Sequence, residues 1–301
     1  MKRILLSLLC VAMLTPTTAA LASKKNELGK QSNKIVMEAR QSNMEFTAIK
    51  VSRGVRLIID DRTDGNIIIR TAQSLMPYVE LNVADGALTA TISDKVQRID
   101  KCCTEIYIPY NLRITKICAA GLASVVAKPT LYATELDISA TGASTIKLAA
   151  TVSGKAEIEC AGASTIKLAA TVSGKAEIEC AGASNITASL TADECEVQVT
   201  GASKANLSGS AREADIEVAG ASQLDASDFK CAEIDAEVIG ASRLAARGTV
   251  CDIEAGGAST AVVKCDGTLE ASAAGASTIT YSGNCTLLKV SNAGLSTIKK
   301  Q

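Results

Sequence analysis

Residues 142–161 read GASTIKLAATVSGKAEIECA, and residues 162–181 repeat them without a single change. Gly-Ala-Ser or a near variant returns ten times along the chain, at intervals of 17 to 20 residues. A period of this length is typical of stacked structural repeats, in which each repeat buries its apolar side against its neighbours. The serines that mark the period are Ser124, Ser144, Ser164, Ser184, Ser203, Ser222, Ser242, Ser259, Ser277 and Ser296.

Apolar positions around each glycine alternate with polar ones. Two, four and six residues before the glycine stand Ala, Val, Ile, Leu or Cys, as in Cys160, Ile158 and Ala156, and near the end of the chain as in Leu288. A period of two with one apolar side is typical of a strand with one buried face. We therefore predict an all-β protein, a single parallel β-solenoid (β-helix) of about ten coils of 17 to 20 residues with an N-terminal β-structured cap. At about 4.8 Å per coil, the stack is roughly 43 Å long.

The repeated glycine and serine are predicted to build a corner of each coil. Glycine adopts backbone conformations that are closed to residues with a Cβ, and a serine hydroxyl can bond to nearby backbone. The functional alternative is a ladder of serines that forms a binding stripe. The structural corners are predicted at Gly142, Gly162, Gly182, Gly201, Gly220, Gly240, Gly257 and Gly275.

The N-terminus has the features of a secretory signal peptide. A basic head with Lys2 and Arg3, an apolar run over 4–14 and small residues before Ser23 fit that pattern. The run continues well beyond Cys10, which disfavours lipidation there, and it is shorter than the roughly 20 apolar residues of a membrane-spanning helix. We expect an exported mature chain without a transmembrane helix. The predicted parts are 1–22 signal peptide, 23–44 polar leader, 45–118 N-terminal β segment and cap, and 119–301 Gly-Ala-Ser solenoid.

The composition argues against several functions. Without the signal peptide the chain has 29 basic and 32 acidic residues, a net charge of −3, which does not indicate a nucleic-acid partner. The chain has no histidine and no tryptophan, so the commonest general base and a frequent sugar-stacking side chain are missing. We predict no catalytic and no cofactor-binding residues, and the protein is not expected to be an enzyme.

Two stretches carry a resemblance to a known family. Residues 46–59 read FTAIKVSRGVRLII and residues 75–88 read LMPYVELNVADGAL, and repeated Gly-Ala-Ser phrases follow them. Over about residues 45–300 the chain resembles the head GIN domain family, described as putative auto-transporter adhesins. The resemblance implies an exported protein of the periplasm or cell surface of a Gram-negative bacterium, with a β-helical fold and no established activity. Arg53 stands where the family commonly has a small residue.

An acidic residue stands five positions before the glycine in eight consecutive coils. Stacked like charges repel by up to about 1 kcal/mol per neighbour in water. One explanation is a solvated face that prevents association between sheets. The other is a surface that binds a basic partner or, weakly, divalent cations, for which carboxylates are suitable ligands. This ladder comprises Asp137, Glu157, Glu177, Glu196, Asp215, Asp235, Asp252 and Glu270, and a second, interrupted column comprises Glu159, Glu179, Glu217, Glu237 and Glu254.

Ten cysteines remain after removal of the signal peptide, including the adjacent Cys102 and Cys103. Those in apolar columns are predicted to be small core residues, although an oxidising compartment favours disulfides. Zinc is not expected without histidine or a Cys-x-x-Cys pair. The predicted core cysteines are Cys160, Cys180, Cys195 and Cys251; Cys160 with Cys180 and Cys265 with Cys285 could form disulfides, whereas Cys195 and Cys251 are too far apart.

These features favour an exported, non-enzymatic scaffold or adhesion and binding module of the cell envelope, with an unknown envelope or surface partner. The alternative is a carbohydrate-active enzyme that acts on envelope or extracellular polysaccharide. An enzyme should have a cleft where the coils lose their regularity, and a scaffold should have uniform columns. The shorter coils near Gly257 and Gly275 are where such a cleft is expected.

Overall fold

The computed structural model describes residues 34–41, 45–61, 63–97, 104–110 and 113–301. The predicted signal peptide, Cys10, Cys102 and Cys103 lie outside them. The described part contains a short 3-10 helix, Met76–Tyr78, and these strands: β1 (Ile35–Gln41), β2 (Ala48–Val51), β3 (Val55–Asp60), β4 (Asn66–Ala72), β5 (Val79–Ala84), β6 (Ala87–Ile92), β7 (Thr104–Pro109), β8 (Lys116–Ala119), β9 (Ser124–Ala133), β10 (Leu136–Ala140), β11 (Thr145–Val152), β12 (Ala156–Cys160), β13 (Thr165–Val172), β14 (Lys175–Cys180), β15 (Asn185–Val199), β16 (Lys204–Val218), β17 (Gln223–Val238), β18 (Arg243–Ala255), β19 (Thr260–Ala273), β20 (Thr278–Ser282), β21 (Thr286–Asn292) and β22 (Thr297–Lys300).

The strands stack as a parallel β-solenoid of about nine turns, which confirms the predicted fold. The duplicated coils pair residue on identical residue, with Thr145 opposite Thr165 and Val152 opposite Val172. In the following coils, β15 to β19 are continuous strands of 13 to 16 residues, each parallel to the next. Every coil therefore places equivalent residues above one another along the stack axis.

The predicted apolar columns fill the interior. Ile158 and Ile178 are 2% exposed and Val197 is fully buried, and the columns beside them have similar burial. The four predicted core cysteines are also buried, at 0% to 2% exposure. Because each coil contributes only a few such side chains, the core is continuous along the stack and no coil encloses its own.

The glycine of each corner has a left-handed backbone conformation. The eight predicted corner glycines have φ between 75° and 83°. The amide after each glycine donates to the carbonyl of the glycine one coil earlier, as Ala183 does to Gly162 at 2.7 Å. The corner thus continues the hydrogen-bond ladder around the bend.

The first corners differ from the repeated ones. Ser124 pairs with Thr145, so the buried serine position is occupied there by Ala123. Arg53 stands at the corresponding bend of an earlier coil and has φ of 53°, a conformation uncommon for residues other than glycine. Its guanidinium donates to the Val96 carbonyl at 2.7 Å and forms a salt bridge with Asp94 at 2.9 Å. These contacts hold the arginine in the position that glycine occupies elsewhere.

Strands β2 to β8 lie at the N-terminal end of the stack. β2 and β3 pair in parallel with β8 and β9 on one side and with β6 and β7 on the other. Antiparallel strands β4, β5 and β1 extend this end. β1 falls within the segment interpreted as a polar leader that precedes the strands, so part of that segment belongs to the sheet.

The last coil departs from the predicted column at Leu288. A register shift between β19 and β21 places Leu287 opposite Leu269, and Leu288 is 61% exposed instead of buried. Leu287 and Val290 are also exposed, at 42% and 46%. All seven residues of β21 are exposed, including Val290, which is in register with the buried Ala271, so the apolar columns are uncovered along this whole strand and not only at the register shift.

Candidate binding surface

Three outward columns form an acidic face on the strands that precede each corner. The predicted ladder stacks in register from Asp137 to Glu270, with Lys116 before it and Lys289 after it. The second column runs beside it, from Ser139 through Glu159 to Ser272. The third contains Glu194, Glu213 and Glu233 on successive coils.

Lysines neutralise the N-terminal half of the ladder. Lys155 bridges Glu157 and Glu177 at 2.6 and 2.8 Å, and Lys175 bridges Glu177 and Glu196 at 2.9 and 2.6 Å. Although burial raises the pKa of Glu177, hydrogen bonds from both lysines lower it overall. The hydrogen bond to Glu196 raises the pKa of Lys175. Each lysine thus links carboxylates of adjacent coils.

The C-terminal half of the ladder has no such counter-charges. Six carboxylates on three successive coils, which we name the acidic patch, form no salt bridge with any residue that the structure describes. Burial and the neighbouring acids raise the pKa of Asp235, and burial and Glu196 raise the pKa of Asp215, although Lys175 opposes part of that rise. The acidic patch comprises Asp215, Glu217, Asp235, Glu237, Asp252 and Glu254.

The third column and the bridging lysines were not among the predicted site residues. Both occupy the position seven residues before the glycine, where Lys155 and Lys175 are followed by Glu194, Glu213 and Glu233. Because strand residues alternate between faces, this position points outward like those three and five before the glycine. Counting back from each glycine, as for the other columns, would have identified this outward position.

The carboxylates lie in straight rows and do not converge on a point. Within the described ranges, no group of three or more Asp, Glu or Cys side chains could hold a metal ion. The acidic patch therefore presents a row of separate charges rather than a cage for one cation.

The repeated serines are not an exposed stripe. From Ser144 to Ser277 the eight serines that follow the corner glycines are at most 1% exposed. Five of these hydroxyls donate to nearby carbonyls, as Ser222 does to Ala219 at 2.8 Å; the five are those of Ser144, Ser184, Ser222, Ser242 and Ser277. The serine-ladder alternative for binding is therefore wrong, and these residues support the corner from inside.

Neither pair of cysteines considered for disulfides is bonded. Cys160 and Cys180 are in register on adjacent coils, and they are free thiols, as are Cys265 and Cys285. Parallel strands in register hold equivalent Cβ atoms about 4.8 Å apart, beyond the about 4.5 Å upper limit typical of a disulfide. The stacked interior pair thus fits two thiols better than a bond.

A shallow groove lies on the strands that follow the corner. Its volume is about 440 Å³, and its polar lining comes from Lys204, Gln223, Arg243, Asn206 and Asp225, with Thr260 at one end. It spans the 17-residue coil that begins at Gly240, close to where an irregularity is expected. Asp225 is its only carboxylate, whereas glycoside hydrolysis generally requires two.

The chain belongs to the family described as putative auto-transporter adhesin, head GIN domain, whose profile matches residues 45–175 and 156–266. Two solved structures have similar folds, a putative adhesin from Parabacteroides distasonis ATCC 8503 and one from Parabacteroides merdae ATCC 43184. The first is 19% identical with a TM-score of 0.53, and the second is 16% identical with a TM-score of 0.51. Both alignments cover 89% of this chain and 97% of the other.

A search of curated proteins gives no match. Among the residues that the structure describes, no helix is long and apolar enough to cross a membrane.

Proposed function

We propose that this protein is an exported, non-enzymatic adhesion or binding module of the cell envelope, at the periplasm or cell surface, whose acidic patch binds a basic partner. Membership of an adhesin family and the solenoid fold support the general role. The acidic patch carries the specific part of the proposal. Its six carboxylates form no salt bridge in the described chain, although Lys175 is near enough to Asp215 to act on it and, with Lys155, neutralises the preceding part of the ladder.

The repulsion between carboxylates in the acidic patch opposes folding, which supports a role for the patch beyond solubility. Burial, and after it the like charges on adjacent coils, raise the pKa of Asp235, so ionisation at neutral pH opposes folding. A basic partner would relieve that repulsion when it binds, and association would be fast and sensitive to salt. Because the carboxylates form rows, a protein or polymer with several cations fits them better than a single divalent cation.

Retention on immobilised poly-lysine tests the proposal, with Asp215, Asp235 and Asp252 all changed to Asn. The triple variant should elute at a clearly lower salt concentration than the unchanged protein. The matched control is Asp61→Asn with Glu80→Gln and Asp266→Asn, which removes the same number of acidic charges elsewhere. Equal retention of the two variants contradicts a specific role of the patch. Pull-down from envelope extracts with the same pair then tests natural partners.

The groove is the observation that favours the alternative, a carbohydrate-active enzyme. Its position at the shortest coil agrees with the expected cleft, but Asp225 already accepts hydrogen bonds from the backbone and hydroxyl of Ser227 at 3.1 and 2.6 Å. Release of reducing sugar from envelope polysaccharide, lost on Asp225→Asn, would support this alternative.

A further inference from the structure

A basic patch lies across the Gly-Ala corner from the acidic patch. Lys230, Arg247 and Lys264 stand in register on three successive coils. Lys204 and Arg243 stand in a second column, with Gln223 between them, and line the groove. None of these five cations forms a salt bridge with a residue in the described part of the chain. The patch therefore carries five cations without a salt bridge, and Asp225 is the one carboxylate in the lining of the groove.

Local irregularities assemble this patch. The register of β17 and β18 shifts between Asp225 and Lys230, where β17 bulges and inserts Phe229 into the core at 1% exposure. The next coil is shorter, and its Arg247 pairs with Lys230 despite lying three positions closer to its own glycine. The bulge thus brings cations from different sequence positions into one column and leaves the groove beside them.

The two patches have opposite charges and the same spacing between charges. Both are built on coils of the same solenoid, so adjacent carboxylates and adjacent cations repeat at the same distance of about 4.8 Å. A column such as Asp215, Asp235 and Asp252 can therefore face Lys230, Arg247 and Lys264 with all three charges aligned. A second copy of the chain already holds its charges at this spacing, whereas a flexible polycation or polyanion would lose conformational entropy to reach it.

We infer that the basic patch binds the acidic patch of a second copy of this chain. The inference rests on the proposed role of the acidic patch as a partner-binding surface, and it names the partner. The acidic patch covers three successive coils and the basic patch four, so the two patches meet over about 14 Å of the stack axis, and charge complementarity rather than a large buried area selects the partner. Because the two patches differ, the contact is head-to-tail and can extend to further copies.

Sedimentation velocity of the exported protein, at about 50 mM and about 500 mM NaCl, tests the inference. We expect concentration-dependent oligomers at low salt that dissociate at high salt. A basic-patch variant, Lys230→Glu with Arg247→Glu, and an acidic-patch variant, Asp235→Lys with Asp252→Lys, should each weaken association at least about tenfold. Mixing the two variants should restore it, because each keeps one native patch. Lys95→Glu with Lys50→Glu serves as the control for charge reversal elsewhere.

Several outcomes would overturn the inference. A monomer at every salt concentration would do so, as would oligomers that neither variant weakens, or variants that fail to associate when mixed. Salt-sensitive retention of polygalacturonate that requires Arg247, without self-association, would assign the basic patch to an anionic polymer instead. If the protein binds poly-lysine but does not self-associate, the inference fails and the proposed function stands. If it does neither, the proposed function fails as well.

Discussion

Each corner glycine lies against the backbone of the coil before it. A Cβ at Gly201 would meet the Gly182 carbonyl oxygen at 2.6 Å, well inside van der Waals contact. The left-handed φ adds a conformational cost for any other residue. Two independent constraints therefore require glycine at this position.

Adjacent glycines at one corner allow a matched test. Gly257→Ala should lower the free energy of unfolding by roughly 2 kcal/mol or more, because its φ is 75° and a Cβ would lie 2.8 Å from the Gly240 oxygen. Gly256→Ala should change it by less than about 0.5 kcal/mol, since that Cβ meets only the Ile239 side chain at 3.5 Å. Urea unfolding followed by circular dichroism measures both. Equal stability of the two variants would contradict the corner geometry.

Two ladder residues should respond in opposite directions when neutralised. Asp235→Asn should raise the free energy of unfolding by about 0.5 to 1 kcal/mol at low salt, because it removes like-charge repulsion. Glu177→Gln should lower it by up to about 1 kcal/mol, because it removes the carboxylate between Lys155 and Lys175. Thermal unfolding at low and high salt measures both effects, and changes of the same sign would contradict the division of the ladder.

The pH dependence follows from the same pKa shifts. The pKa of Asp235 is raised on folding, so its unfavourable contribution appears as pH rises above about 4 and is relieved as pH falls through the folded pKa. The pKa of Glu177 is lowered, so its favourable contribution is present above about 4 and is lost as pH falls through the folded pKa. Asp235→Asn should therefore remove part of any stabilisation seen on mild acidification.

At the scale of the strand, buried cysteines behave as apolar core residues. Burial and the nearby Cys231 raise the pKa of Cys195 to about 12, which keeps the thiol protonated at neutral pH. Cys285 is partly exposed on the last coils. The reactivity of each thiol is thus determined by whether the cysteine is buried in its coil.

A thiol reagent should distinguish these positions. Cys285 should react in the native protein, whereas Cys160, Cys180 and Cys195 should react only after unfolding, because they are at most 2% exposed. Mass spectrometry of peptides labelled before and after denaturation measures the order. Rapid native labelling of Cys195 would contradict the burial of its column.

The coil is the unit that the fold can gain or lose. Deleting residues 162–181 joins Ala161 to Gly182, the same junction that the repeat already contains, and every column stays in register. We expect a folded protein whose denaturant m-value falls by roughly a tenth, in proportion to the surface removed. Deleting 162–171 instead removes half a coil and puts Val172 in the place of Gly162, whose left-handed backbone packs against Gly142. If that shorter deletion is as stable as the full-coil deletion, coil modularity is contradicted.

For the whole molecule, the regular repeat makes most of the fold predictable. Counting from glycine predicted the buried columns and the ladder because one rule applies to every coil. The basic patch escaped it because Lys230 is ten residues after Gly220, whereas Arg247 and Lys264 are seven after their glycines. The bulge at Phe229 brings Lys230 into register with Arg247 and Lys264. Its position depends on which side chains pack in the core, and counting from the glycine does not reveal it. Leu288 was placed in the core because the count assumes that every coil is covered, whereas all of β21 is exposed.

The parallel stacking also determines how the molecule would respond to force. The hydrogen bonds between coils run along the stack axis, so tension between the two ends loads them one ladder at a time rather than all in shear. Each coil of 17 to 20 residues that peels away releases roughly 60 to 70 Å of chain. The solenoid would yield in short, repeated steps, and a module that joins two surfaces could lengthen under load without losing the coils that remain.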